Sequence, residues 1–365
     1  MTIELKAARG ETVGCERPSG VCDLPFSKVL QVDGRPWVEV SVPSDATAGE
    51  YTAPGYKLTV YSFAIRTEPM PFYVGLDPGR VKRIEGRDAF SEYDAMLKAH
   101  GIDRPILPMP KYDRATGQII DLGAHANLLP TRPLWLLPTP FGFDQWKLAE
   151  AYLHGYGTWL KSVGASNVAV YMVDEPNSKT EAGRKQQDQA RLLGAFIAET
   201  KSPIMSMVPG SYSELNSVPV GLPVYHWGQS YSSYRRHWVY TGLRNDQEPT
   251  WLADQPDSSW LAPFFTTVAT GAEGIWYWTA VLDKPYGDAF PGEGQWITKG
   301  PTPTRSLKIV REGTNCWKYL MMLKDRDLAR RLATVVSTSF RVWERDASKI
   351  YAVKDLIAKH LEVQG

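Results

Sequence analysis

The pattern of apolar and polar positions changes character near residue 70. Before it, Trp37-Val38-Glu39-Val40-Ser41-Val42 and Tyr56-Lys57-Leu58-Thr59-Val60-Tyr61 alternate with a period of two, between clusters of Gly, Pro, Asp and Ser. That period, closed off by turn residues, predicts half-buried antiparallel strands. No helical period accompanies them. Residues 1–70 therefore read as a small β-sandwich-like appendage, too few strands to make a core without a neighbour.

From residue 71 short apolar runs alternate with stretches of helical period. Strands are expected at 72–76, 105–108, 134–137, 168–173, 204–208, 224–227, 250–253 and 274–280. Helices are expected at 91–98, 144–163, 180–200, 258–269 and 305–324, the second with Asp144 as N-cap and Gly164 beyond its end. The continuous run Val168 to Val173 has the composition of a strand buried on both faces of a parallel sheet. Repeated strand-then-helix order implies such a sheet, and eight units imply closure. The expected fold class is α/β: a (β/α)8 TIM-like barrel over 71–325, after the short N-terminal β-rich appendage. Residues 326–365 form a C-terminal extension packing on the barrel. A doubly wound sheet is the alternative.

Composition narrows the partner. Lys+Arg 41 against Asp+Glu 40 leaves a net charge of +1, which argues against nucleic acid, whose phosphates need a basic face. Thirteen Trp and 18 Tyr suit a ligand with apolar C–H faces and scattered hydroxyls, such as a sugar. Cys15, Cys22 and Cys316 are odd in number and lack metal-ligand spacing, as do the six His. Neither a metal nor another cofactor is expected. No run approaches the ~20 apolar residues of a membrane span, and Met1 to Lys6 do not open a signal peptide.

In such a barrel chemistry sits at the C-terminal ends of the strands. The fourth strand ends in Asp174-Glu175-Pro176-Asn177, three polar groups after six apolar ones. Pro176 is expected to hold Glu175 extended. Neighbours on a regular strand point to opposite sides, so both carboxylates face one site only if the strand bends there. The sixth strand ends in Tyr225-His226-Trp227, the seventh in Ala253-Asp254-Gln255, and the eighth carries Trp276 and Trp278 on one side of Tyr277. Each of these is weak alone; carboxylates and aromatics converging from separate strand ends are not. Two carboxyls and aromatic rings suit cleavage of a glycosidic bond, which needs an acid on the leaving oxygen and stabilisation of positive charge at the anomeric carbon. Conventional enzymes set the two carboxyls ~5–9 Å apart across the sugar. Adjacent ones suit instead a route in which the substrate's 2-acetamido group attacks.

Tyr171-Met172-Val173-Asp174-Glu175-Pro176 resembles the Asp-Glu-Pro strand end of glycoside hydrolase family 123, the β-N-acetylgalactosaminidase-like family with its uncharacterised relatives. Gly292-Glu293-Gly294-Gln295-Trp296, then Thr304-Arg305-Ser306-Leu307 through Arg311-Glu312-Gly313, resemble its C-terminal pattern. Pro43-Ser44-Asp45-Ala46-Thr47-Ala48-Gly49-Glu50-Tyr51 resembles the β-sandwich before its barrel. The likeness spans residues 40 to 325. It implies substrate-assisted retaining cleavage of a β-linked N-acetylhexosamine, N-acetylgalactosamine first. Asp174 would orient the acetamido group and Glu175 would be the general acid/base. By strand position, Tyr225, His226, Trp227, Asp254, Trp276 and Trp278 would contact an oligosaccharide or polysaccharide substrate. The β region is shorter than the family usually carries, and Thr298-Lys299-Gly300 stands where relatives tend to show Tyr-Pro-Gly.

Two rivals stand beside this reading. One is a conventional glycosidase with Glu175 as acid/base and Asp254 as second carboxylate. The other is a carbohydrate-binding barrel without chemistry. Cytoplasmic location is the default expectation, with a virion or secretion-system component as the other route to a surface glycan.

Overall fold

The computed structural model describes residues 2–16, 22–66, 68, 70–226, 236–240, 249–252, 255–282, 295–339 and 342–364, without the side chains of Tyr212, His226 and Ser339. Six strands form the N-terminal region in two three-stranded sheets. One places Tyr56–Ala64 between Ile3–Arg9 and Gly49–Ala53; the other places Arg35–Ser41 between Thr12–Glu16 and Ser27–Val32. The strands form as the period of two predicts, but not all are antiparallel, since Ile3–Arg9 runs parallel to Tyr56–Ala64. Val38 and Val40 face the apolar filling with Val13, Leu58 and Val60, while Trp37 and Glu39 take the opposite face.

That opposite face is locked to the helix Arg305–Met322 by buried charge. Glu39 accepts from Lys308 Nζ at 2.6 Å and Arg311 Nη1 at 2.7 Å, all three residues being buried. Burial alone would raise the Glu39 carboxyl, but Arg311 and Lys308 hold it well below the usual carboxylate range. A second anchor joins Glu11 to Lys354 Nζ at 2.6 Å and to the Tyr319 hydroxyl at 2.6 Å. Lys354 lies on the C-terminal helix Ala347–Gln364, which thereby packs on both the β region and the barrel's outer layer. The motif-like residues Arg311-Glu312-Gly313 serve this packing. A Cβ on Gly313 would lie 2.2 Å from the Phe264 ring of the neighbouring helix Asp257–Thr270, so glycine permits the close approach.

Seven parallel strands make a curled sheet in the order Trp135–Leu137, Val168–Tyr171, Met205–Gly210, Leu222–His226, Trp238–Tyr240, Gly274–Tyr277, Phe72–Val74. Ile106 adds a parallel bridge to Leu136 at the free edge, in the place of the second barrel strand. The last strand pairs with the first, as closure requires. Along each strand side chains alternate: Val168 and Val170 pack outward against the helix Trp146–Ser162, and Ala169 and Tyr171 inward.

Two expectations need correction. The seventh strand is Trp238–Tyr240, not 250–253. Thr250 and Trp251 are buried, but their groups bond to a helix: the Thr250 N–H donates to Ser259 Oγ and the Trp251 indole to Trp260 O. An apolar run can be buried outside the sheet as well as in it, and a three-residue strand leaves almost no pattern. The helix expected from Asp144 begins instead at Trp146, after a tight turn Phe143–Gln145, and has no side-chain cap.

Candidate active site

The fourth strand stops pairing at Tyr171, and the chain then turns through Asp174 and Glu175. Glu175 has φ +41°, in the left-handed region, and is not extended. The proline rule loses here to the neighbouring strand, since the Glu175 N–H donates to Pro209 O at 3.1 Å and the Asp174 N–H to Gln186 Oε1 at 3.1 Å. Such a conformation costs of order 1–3 kcal/mol in a non-glycine residue and persists only where surroundings impose it. It supplies the bend that lets neighbouring carboxylates serve one site.

The turn is clamped from outside by the helix Glu181–Thr200. Thr180 caps it, accepting the Gly183 N–H at 3.0 Å. A Cβ on Gly183 would sit 2.0 Å from Asn177 O, so only glycine lets the helix start press against this turn.

A tyrosine stands beside each carboxylate. The Tyr240 hydroxyl donates to Glu175 Oε1 at 2.9 Å, and the Tyr171 phenol lies close enough to Asp174 to favour its ionised form. Both acids are open to solvent on one side. On the other, burial first and the Glu175 charge second push the Asp174 carboxyl above its ordinary value, with the nearby Tyr171 hydroxyl opposing them. The Tyr240 phenol is held far above its ordinary value by burial and then by Glu175, so it remains a donor.

Trp276 forms the floor. Tyr73 stacks on it at 5.8 Å, Tyr171 tilts against it at 5.6 Å, and Tyr240 meets it edge-on at 5.7 Å. Trp278 is half-buried at the rim, with the Arg80 guanidinium 5.9 Å from its ring. These rings and the acid pair come from the first, fourth, seventh and eighth strands.

The other expected contacts fare differently. Tyr225 faces away, packed with Val173, Val208 and Leu215 in the layer beneath the helices. His226 pairs in the ladder opposite Tyr240. Trp227 and Asp254 lie outside the described residues, as does Gly292-Glu293-Gly294. Since 250–252 is not a strand, Asp254 loses the argument that placed it at a strand end. Tyr73, Tyr240 and Gln186 were not legible as site residues. Tyr73 reads as core within its run, Tyr240 ends an undetected strand, and Gln186 sits mid-helix.

Among the described residues no group of three or more His, Cys, Asp or Glu has metal-binding geometry. No helix among them is long and apolar enough to cross a membrane. A large cavity of about 610 Å³ lies at the opposite end of the barrel, lined by Pro71, Pro133, Arg236 and Glu273, which precede their strands. It is remote from the acid pair and has no part in this site.

No protein-family model matches the chain, and no curated protein does. Among solved structures it is similar to a family 123 glycoside hydrolase from Clostridium perfringens, described for glycolipid glycan hydrolysis. The match has a TM-score of 0.57 at 10% identity and covers 99% of this chain and 92% of that one. The fold is that of a family 123 glycoside hydrolase. A family 10 endo-β-1,4-xylanase from Gloeophyllum trabeum, with a TM-score of 0.37, 13% identity and coverage of 68% and 96%, is too distant to bear on the site. The family 123 match runs end to end, N-terminal β region included, so it concerns the whole architecture and not the barrel alone.

Proposed function

We propose that this chain is a glycoside hydrolase cleaving a β-linked N-acetylhexosamine, N-acetylgalactosamine foremost, with the substrate's own 2-acetamido group as nucleophile. The observation that carries the reading is the bent strand end that sets Asp174 beside Glu175, the latter held by the Tyr240 hydroxyl, above an aromatic floor. The likeness in fold to a family 123 enzyme supports it.

In this mechanism Glu175 protonates the glycosidic oxygen as the acetamido carbonyl oxygen attacks the anomeric carbon. The amide N–H grows acidic in that step, and Asp174 accepts it. A carboxylate with a raised pKa is the stronger base for that task. Water then opens the cyclic intermediate with Glu175 as base, and the configuration is retained. Tyr240 fixes the Glu175 oxygen throughout. The Trp276 indole N–H has no partner among the described residues, and an oxygen of the bound sugar would accept it.

Chromogenic β-GalNAc, β-GlcNAc and β-galactoside substrates, with Glu175→Gln as control, test the reading. Release from the acetamido sugars and inhibition by an N-acetylhexosamine thiazoline are expected. Equal cleavage of the plain galactoside without thiazoline inhibition would favour a conventional two-carboxylate enzyme. Binding without turnover would favour a non-catalytic barrel.

A further inference from the structure

The helix Glu181–Thr200 carries two neighbouring glutamines that reach the ends of two different strands. Gln186 Oε1 accepts the Asp174 N–H at 3.1 Å, at the end of the fourth strand. Gln187 is 8% exposed, and its Nε2 donates to Ser217 Oγ at 3.1 Å. Ser217 Oγ in turn donates to Glu214 O at 2.6 Å, in the segment that follows the fifth strand, Met205–Gly210. That strand supplies Pro209 O, which takes the Glu175 N–H at 3.1 Å. The bonds therefore close a bracket. One helix holds the fourth strand end directly and the fifth through Ser217, and the two ends hold each other through Glu175.

The residue type at 186 suits this place. The ladder between the fourth and fifth strands ends with Tyr171 opposite Met207, so the Asp174 N–H lies beyond it and takes its acceptor from a side chain. A glutamine amide is a neutral acceptor, so it engages the peptide without setting a third charge beside two carboxylates. Pro176 has no N–H, and the turn cannot offer the Asp174 side chain the donor two residues on that such turns ordinarily use. Asp174 is thus gripped by its main chain.

We infer that Gln186 is a positioning residue: through its bond to the Asp174 N–H it places the Asp174 carboxylate for the substrate's acetamido group, with Gln187 bracing the helix from the fifth strand. The catalytic part of this inference rests on the hydrolase reading, whereas the placement of the carboxylate does not. Without the acceptor at 186 the turn is free to swing toward solvent. Burial and the Glu175 charge, which together raise the Asp174 carboxyl, then both weaken.

The test pairs steady-state kinetics on an aryl β-N-acetylhexosaminide with ¹³C titration of the full chain labelled at its aspartate carboxyl carbons. The Asp174 resonance is assigned by its loss in Asp174→Asn. Gln186→Met keeps the length of the side chain and removes the acceptor. It should lower kcat about 10²-fold with little change in KM, and Asp174 should titrate nearer the ordinary carboxylate range than in the parent. Gln186→Glu keeps an acceptor and adds a charge, so it should recover most of the lost kcat and move the titration upward instead. An Asp174 titration equal in parent and Gln186→Met, whatever happens to kcat, would overturn the proposal. So would a Gln186→Glu enzyme no faster than Gln186→Met. A chain that cleaves no acetamido sugar yet shows the two opposed titration shifts would refute the hydrolase reading and still support the placement of Asp174 by Gln186.

Discussion

The Tyr240 hydroxyl donates to Glu175 Oε1 at 2.9 Å, joining the seventh strand to the acid at the end of the fourth. Two strands stand between theirs in the sheet, and its curl brings the residues together. Tyr240→Phe removes the hydroxyl and its bond to Glu175, leaving the ring against Trp276. The expected result is a fall in kcat/KM of about 10²-fold, the order of loss that follows slight misplacement of a catalytic group. The fall should lie mainly in kcat, with the melting temperature changed little. Unchanged turnover of an aryl β-N-acetylhexosaminide would show that Tyr240 does not position the acid.

In the proposed mechanism Asp174 would couple activity to stability. Its folded pKa is raised, first by burial and then by Glu175, above that of the unfolded chain. Between those two values the native state binds a proton that the unfolded state has released, so stability falls as pH rises through the window. Asp174→Asn removes this dependence. It should melt no lower than the parent at neutral pH while losing about 10²–10⁴-fold in turnover. Melting curves of both proteins from acid to neutral pH check the sign; a parent that gains on the variant across the window refutes it.

Gly183 touches no substrate in this reading, yet it determines where the acid pair stands. Gly183→Ala forces the helix start away from Asn177 O and should cut kcat by about 10²-fold, with a smaller change in KM. Steady-state kinetics of a variant whose circular dichroism matches the parent would isolate this displacement from unfolding.

Glu39→Gln leaves Lys308 and Arg311 buried without their counter-charge, at a cost of about 3–5 kcal/mol in urea unfolding. In the parent, the depressed Glu39 pKa contributes stability that is present above the ordinary carboxylate range and lost as pH falls through the folded value. An equal urea midpoint in parent and variant at neutral pH would show that the β region is held by apolar contact alone.

The sequence by itself determined the broad order: alternating strands first, then a parallel α/β barrel, with Asp174-Glu175 at the end of its clearest apolar run. Those features are local, since a period of two, a buried run and an adjacent acid pair are written within six or eight residues. Helix limits came within a few residues where Thr180 and Gly164 mark them, and failed at Asp144, where a tight turn precedes the helix. Only tertiary structure decided the rest. Trp251 and Trp238 are both buried apolar residues, and nothing local says that one bonds to a helix while the other enters the sheet. Tyr225 and Trp276 are both strand aromatics, and the direction in which each strand enters the sheet sends one outward and the other to the floor of the site. The left-handed Glu175 opposes its own local rule, because the Pro209 carbonyl on the next strand and the Gln186 amide outweigh it. The acid pair was legible as two residues; its bend, its tyrosines and its raised Asp174 exist only because distant strands close around it.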